Sequence, residues 1–139
     1  MSLAAKLRRA PGRIAAGAFI LNSGVGKLSA DADTAARLHG MAAGTYPFLK
    51  AVPAGLFVRL LAVVEIGIGA LLLLPFVGAA FSGMALTAFS SGLFGLYLRT
   101  PGMHDGRFRP TQQGTAIAKD IWLLSIGAGL VIDAAVSGD

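Results

Sequence analysis

Four long apolar runs, each bracketed by proline or by charge, organise the chain. They predict helices over about residues 12–28, 54–74, 76–98 and 115–136. A helix rises about 1.5 Å per residue and needs roughly 20 residues to cross a hydrocarbon core about 30 Å thick. The last three runs meet that length; the first is slightly short and contains Asn22. Pro11 and Pro53 stand where a helix can begin, because a first turn has no use for the N–H that proline lacks. Pro75 parts the second run from the third and predicts a tight helical hairpin. Arg99-Thr100-Pro101-Gly102 stops the third run, and Thr111 is a candidate N-cap for the fourth.

The connection between the first two runs is polar at first and then rich in alanine. It predicts a short interfacial helix over about 33–43, capped by Asp31 or Asp33. Tyr46-Pro47-Phe48 suits the headgroup layer, where aromatic residues collect. The pattern as a whole predicts an all-α fold, a polytopic integral membrane four-helix bundle forming one domain over residues 1–139. Four crossings place both long connections on one side of the membrane and both termini on the other. Lys6, Arg8 and Arg9, an apolar stretch and Ala30-Asp31-Ala32 together have the outline of a secretory signal. Asn22 inside the stretch and Lys27 just before the cleavage motif argue that the segment is instead retained as the first helix.

Composition sharpens the membrane assignment. Hydrophobic residues make up 55% of the 139, and charged residues only 14%, against roughly a quarter in a soluble domain. Mean hydropathy is +0.69. The net charge of +5 sits mostly beside apolar runs, where topology and lipid headgroups explain it better than nucleic acid does. The expected location is the inner (plasma) membrane, multi-pass, with membrane lipids as partners and no nucleic acid. Five basic residues on the connection side oppose four at the N-terminal flank. Lys27, Arg59 and Lys119 raise the five to eight, a lean toward cytoplasmic connections. There is no cysteine, which excludes disulfides, thiolate nucleophiles and thiolate metal sites. Any redox role must come from a partner or a bound cofactor.

Charges inside apolar helices are costly and mark sites. Glu65 and Asn22 each lie about 16 Å from the start of their runs, at the bilayer midplane. Lys27, Arg59, Lys119 and Asp120 form a layer between them and the connections. Lys27 is about 7.5 Å along the axis from Asn22, so its side chain can reach back toward Glu65, and a buried Lys27–Glu65 contact is predicted. Plainer roles exist for the others. Arg59 and Lys119 can snorkel to headgroups, Asp120 can neutralise Lys119, and Asn22 can serve as interhelical glue worth about 0.6 kcal/mol. A midplane carboxylate has fewer alternatives. It is protonated, paired, or facing a polar cavity.

Other motifs point to packing or to nothing. Gly24-Val25-Gly26-Lys27 has the look of a phosphate loop, but Leu21 and Leu28 stand where glycine and Ser or Thr are required. Its glycines are expected to thin the end of the first helix. Gly78-x-x-x-Ser82, Ala79-x-x-x-Gly83, Ser91-x-x-x-Gly95 and Ser125-x-x-x-Gly129 are small-residue spacings that let helices approach, within one bundle or in a homo-oligomer. His39 and His104, with Asp31, Asp33 and Asp105 nearby, lack metal-ligand spacing, so no metal is expected. No nucleophile elbow or zinc-protease motif is present.

Three segments carry a family resemblance: Ser23-Gly-Val-Gly-Lys27-Leu28, Glu65-Ile-Gly-Ile-Gly-Ala-Leu-Leu-Leu73, and Lys119-Asp120-Ile-Trp-Leu-Leu124. In order and spacing the chain resembles the DoxX family of small bacterial four-helix membrane proteins, from about Arg13 to Val136. The resemblance implies a transmembrane bundle with Lys27, Glu65 and Lys119 as its polar signature. The wider group includes a membrane subunit of thiosulfate:quinone oxidoreductase, a member of a mycobacterial membrane-associated oxidoreductase complex, and assembly factors. The expected function is thus an accessory or anchoring subunit for soluble or membrane redox partner proteins, with an intramembrane polar site for a quinone-like or lipid ligand. The alternative is a non-enzymatic assembly, chaperone or lipid-handling protein. A stand-alone enzyme is the weakest case, because no complete catalytic constellation is visible.

Overall fold

The computed structural model describes residues 2–103, 111, 114 and 119–138. Over these the chain is helical, with no strand among the described residues. The helices are α1 (Leu3–Lys27), α2 (Ala32–Thr45), α3 (Ala54–Leu73), α4 (Ala79–Arg99) and α5 (Asp120–Ser137), with a 3₁₀ turn at Pro47–Ala51. Asp31 rather than Asp33 caps α2, its Oδ1 accepting the Thr34 N–H at 2.7 Å. At Thr111, Oγ1 accepts the Gly114 N–H at 3.1 Å, capping a local turn, while α5 is described only from Asp120. Residues 115–118, expected in the fourth helix, lie outside the described residues.

Helix α1 departs most from expectation. It starts at Leu3, capped by Ser2, and runs through Pro11. A proline inside a helix loses one backbone hydrogen bond and costs about 3 kcal/mol. Tertiary anchors on either side hold the helix together. Arg8 Nε donates to Asp133 Oδ1 of α5 at 2.8 Å, and Arg8 Nη2 donates to Ser137 Oγ at 3.0 Å. Arg9 is buried and pairs with the other Asp133 oxygen. Arg13 donates to the carbonyls of Leu71, Leu72, Leu74 and Val77 at 2.8–3.0 Å. The last carbonyls of a helix have no partner of their own, so one guanidinium caps the end of α3.

The helices associate as two antiparallel pairs, α1 with α3 and α4 with α5. Glycine sets both crossings. A methyl group on Gly17 would lie 3.1 Å from the Gly69 carbonyl oxygen, and one on Gly24 would lie 2.9 Å from that of Ala62. Gly83 and Gly127 meet in the same way across α4 and α5. The expected tight hairpin of the second and third runs is corrected: the link is short, but α3 and α4 each pack chiefly against another helix. The reason is steric, since the matched small residues that allow backbone contact lie on α1/α3 and α4/α5. Ile20, Ile68, Leu72, Leu86, Leu123 and Leu130 join the two pairs in one core.

Large apolar side chains also cover the outside, among them Val63, Phe81, Trp122 and Ile132. A water-soluble monomer rarely exposes so much. Ala54–Leu73, Ala79–Arg99 and Asp120–Ser137 are long and apolar enough to cross a membrane. α1, with Lys6, Arg8, Arg9, Arg13 and Lys27, is not among them.

Candidate functional site

Side chains on a helix slant toward its N-terminus. In the antiparallel α1/α3 pair, Lys27 therefore slants down along α1 while Glu65 slants up along α3, and the two meet. Lys27 Nζ donates to Glu65 Oε1 at 3.1 Å and Oε2 at 3.0 Å, and to Ser23 Oγ at 2.7 Å. The Glu65 side chain is only 5% exposed and that of Lys27 20%. Both carboxylate oxygens are thus held by one ammonium that also has a neutral acceptor.

The pair lies on a cavity of about 420 Å³, within the usual range for small-molecule sites. The cavity exists because α1 stops below the level at which α3 begins. Gly24 faces Ala62 and Ile66, so α1, ending three residues later, stops about 9 Å before the start of α3. α2 crosses the gap, and Leu38, Met41 and Ala42 form its inner face. Phe19, Phe57, Phe89 and Leu123 complete apolar walls, while Lys27, Glu65 and Asp120 supply the charged groups. Tyr46, at the end of α2, donates its hydroxyl to the Gly92 carbonyl at 2.8 Å. A methyl group on Gly95 would fall 2.5 Å from that hydroxyl, so α4 is thinned here to seat the tyrosine. His39 Nε2 donates to the Leu49 carbonyl at 2.8 Å, and its ring meets Phe57 edge-on. It fastens α2 to the 3₁₀ turn. His104 and Asp105 lie outside the described residues, and among the described residues no group of three metal-ligating side chains occurs.

No family model matches this chain, and neither the curated proteins nor the solved structures contain a match. Its functional reading therefore rests on these residues.

Of the six residues expected to share the polar site, the structure brings three together: Lys27, Glu65 and Asp120. Asn22, Arg59 and Lys119 are exposed and do not line the cavity. Angle separates them. At about 100° per residue, Asn22 projects about 140° from Lys27, and Arg59 about 120° from Glu65. A layer defined by depth alone merges opposite faces. Lys119 precedes the first turn of α5 and does not neutralise Asp120 through any ion pair among the described residues. Ser23, Tyr46 and the Arg8–Arg9–Arg13 cluster were not anticipated as structural partners. Ser23 had a signal, since it stands four residues before Lys27 and so on the same face. Tyr46 had none, because its slot is formed by a helix remote in sequence.

Proposed function

We propose that this chain is a multi-pass protein of the inner (plasma) membrane and a member of the DoxX family. α1, α3, α4 and α5 form its four crossings, and its cavity binds a membrane-soluble amphiphile, a quinone-like or lipid molecule. The observation that carries the proposal is the buried Lys27–Glu65 pair on a cavity whose walls are mostly apolar. Apolar walls suit a hydrocarbon tail, and a few fixed polar groups suit a head that exchanges hydrogen bonds. The protein serves as an accessory or anchoring subunit of a membrane-associated oxidoreductase system. Lys27 and Glu65 orient the ligand head, and Asp120 bounds it from α5. It acts with soluble or membrane redox partners rather than as an enzyme by itself. The exposed face of α4 and α5 is available to a second copy.

One observation favours a second reading. Both Glu65 oxygens are already engaged by Lys27, which suits recognition better than proton exchange. The alternative is a non-enzymatic assembly, chaperone or lipid-handling protein using the same cavity. Organic extraction and mass spectrometry of the purified protein test the shared core. A quinone or lipid retained by wild type and by Arg59→Gln, but lost from Glu65→Gln, is expected. Equal retention by Glu65→Gln would remove the site from consideration. A retained quinone supports the redox role. A retained lipid with a partner whose level depends on this chain supports the alternative.

A further inference from the structure

A second polar concavity lies at the other end of the α1/α3 pair. It encloses about 140 Å³ and is lined by Lys6, Arg9 and Arg13, with Ile14, Leu72 and Pro75 among its apolar walls. Among the described residues no acidic one lines it. Beside it, Arg8 and Arg9 share the carboxylate of Asp133. Arg13 is held by four carbonyl groups and Arg9 by Asp133, so two guanidinium charges stay fixed at the base. Lys6 is exposed at the rim and can bring its ammonium to an incoming anion.

Depth identifies the anion. Leu72 is seven residues beyond Glu65, about 11 Å along α3, and the helix ends at Leu73. With α3 spanning a bilayer, the pocket lies where hydrocarbon gives way to headgroups. The surrounding surface exposes Leu3, Leu7, Ile14, Leu74 and Phe76, which suits acyl chains and not a free aqueous ion. Lys and Arg side chains at headgroup level attract anionic headgroups by about 1 kcal/mol each.

We propose that the Lys6–Arg9–Arg13 pocket binds the phosphate of an anionic phospholipid. The site is separate from the central cavity and stands or falls without it. The test is native mass spectrometry of the full chain released from mixed micelles holding equal phosphatidylglycerol and phosphatidylcholine. Wild type retains phosphatidylglycerol selectively. Lys6→Gln lowers that selectivity about fivefold, the effect of one basic residue near an anionic surface, and Lys6→Glu abolishes it. Lys50→Gln, exposed at the opposite end, leaves it unchanged. Lys6 is exposed, so its variants keep their fold, verified by unchanged melting. Equal retention of the two lipids by wild type overturns the proposal, as does selectivity that survives Lys6→Glu. Displacement of the lipid by millimolar inorganic phosphate assigns the pocket to a free ion and also overturns it.

Discussion

Lys27 and Glu65 form an ion pair with the carboxylate almost fully buried. An intact buried ion pair contributes little net stability, because desolvation offsets attraction, but a single buried charge left behind costs about 3–5 kcal/mol. The two residues should therefore be strongly coupled. Lys27→Met and Glu65→Gln each lower the melting temperature in detergent, and the double variant loses clearly less than the sum, with a coupling of about 1–3 kcal/mol. Additive losses would show that the contact does not persist in solution. Ser23→Ala removes only the neutral acceptor, and its cost should stay near 1 kcal/mol.

Helix packing makes a sharper prediction at Gly24 and Gly26, two residues apart in one motif. Gly24 is buried against the backbone of α3, whereas nothing lies within 4 Å of a methyl group added at Gly26. Gly24→Ala should destabilise by about 1–3 kcal/mol through overpacking. Gly26→Ala should be neutral or stabilise by up to about 1 kcal/mol, since alanine is the better helix former. The two thermal shifts, measured side by side, check this, and equal shifts would refute the α1/α3 register. The start of α2 responds to pH. The backbone and side-chain hydrogen bonds with Thr34 hold the Asp31 carboxyl below its ordinary value of 3.8. A carboxylate with a depressed folded pKa stabilises fully above its unfolded value and loses that contribution as pH falls through the folded one. Amide exchange at Thr34, corrected for its intrinsic pH dependence, should lose protection below about pH 4, and Asp31→Asn should flatten that response while keeping the cap.

For the whole molecule, the proposed four crossings put Ser2 and Ser137 on one side and Lys50 on the other. The chain has no cysteine, so single cysteines at these positions can be labelled without background. In sealed vesicles, Ser2→Cys and Ser137→Cys should react with the same impermeant reagent, and Lys50→Cys only after permeabilisation, or the reverse for the opposite orientation. Labelling of Ser2→Cys and Lys50→Cys from one side would remove α1 from the crossing set. The Arg8–Asp133–Ser137 contacts bind the N-terminal end of α1 to the C-terminal end of α5, which is why the two termini should share a side.

The chain's own residues determined its helical character, its apolar class and the adjacent levels of Lys27 and Glu65. Long apolar runs and axial rise suffice for those, because each is local or depends only on depth. Tertiary structure alone decided which helices pair, where the cavity opens and which polar residues reach it. In α3, α4 and α5 the outward faces are nearly as apolar as the inward ones, so hydropathy carries little information about facing. Facing is set instead by matched glycines, such as Gly17 with Gly69 and Gly83 with Gly127, whose partners lie far apart in sequence. The same holds for Arg8, Arg9 and Arg13. As sequence they resemble a flanking basic cluster, and only the packed ends of α3 and α5 turn them into a cap, an ion pair and the base of a second pocket. Glu65 was legible because a buried carboxylate has few stable states, whereas Asn22, Arg59 and Lys119 were misplaced because depth fixes a residue's level and not its side of the helix.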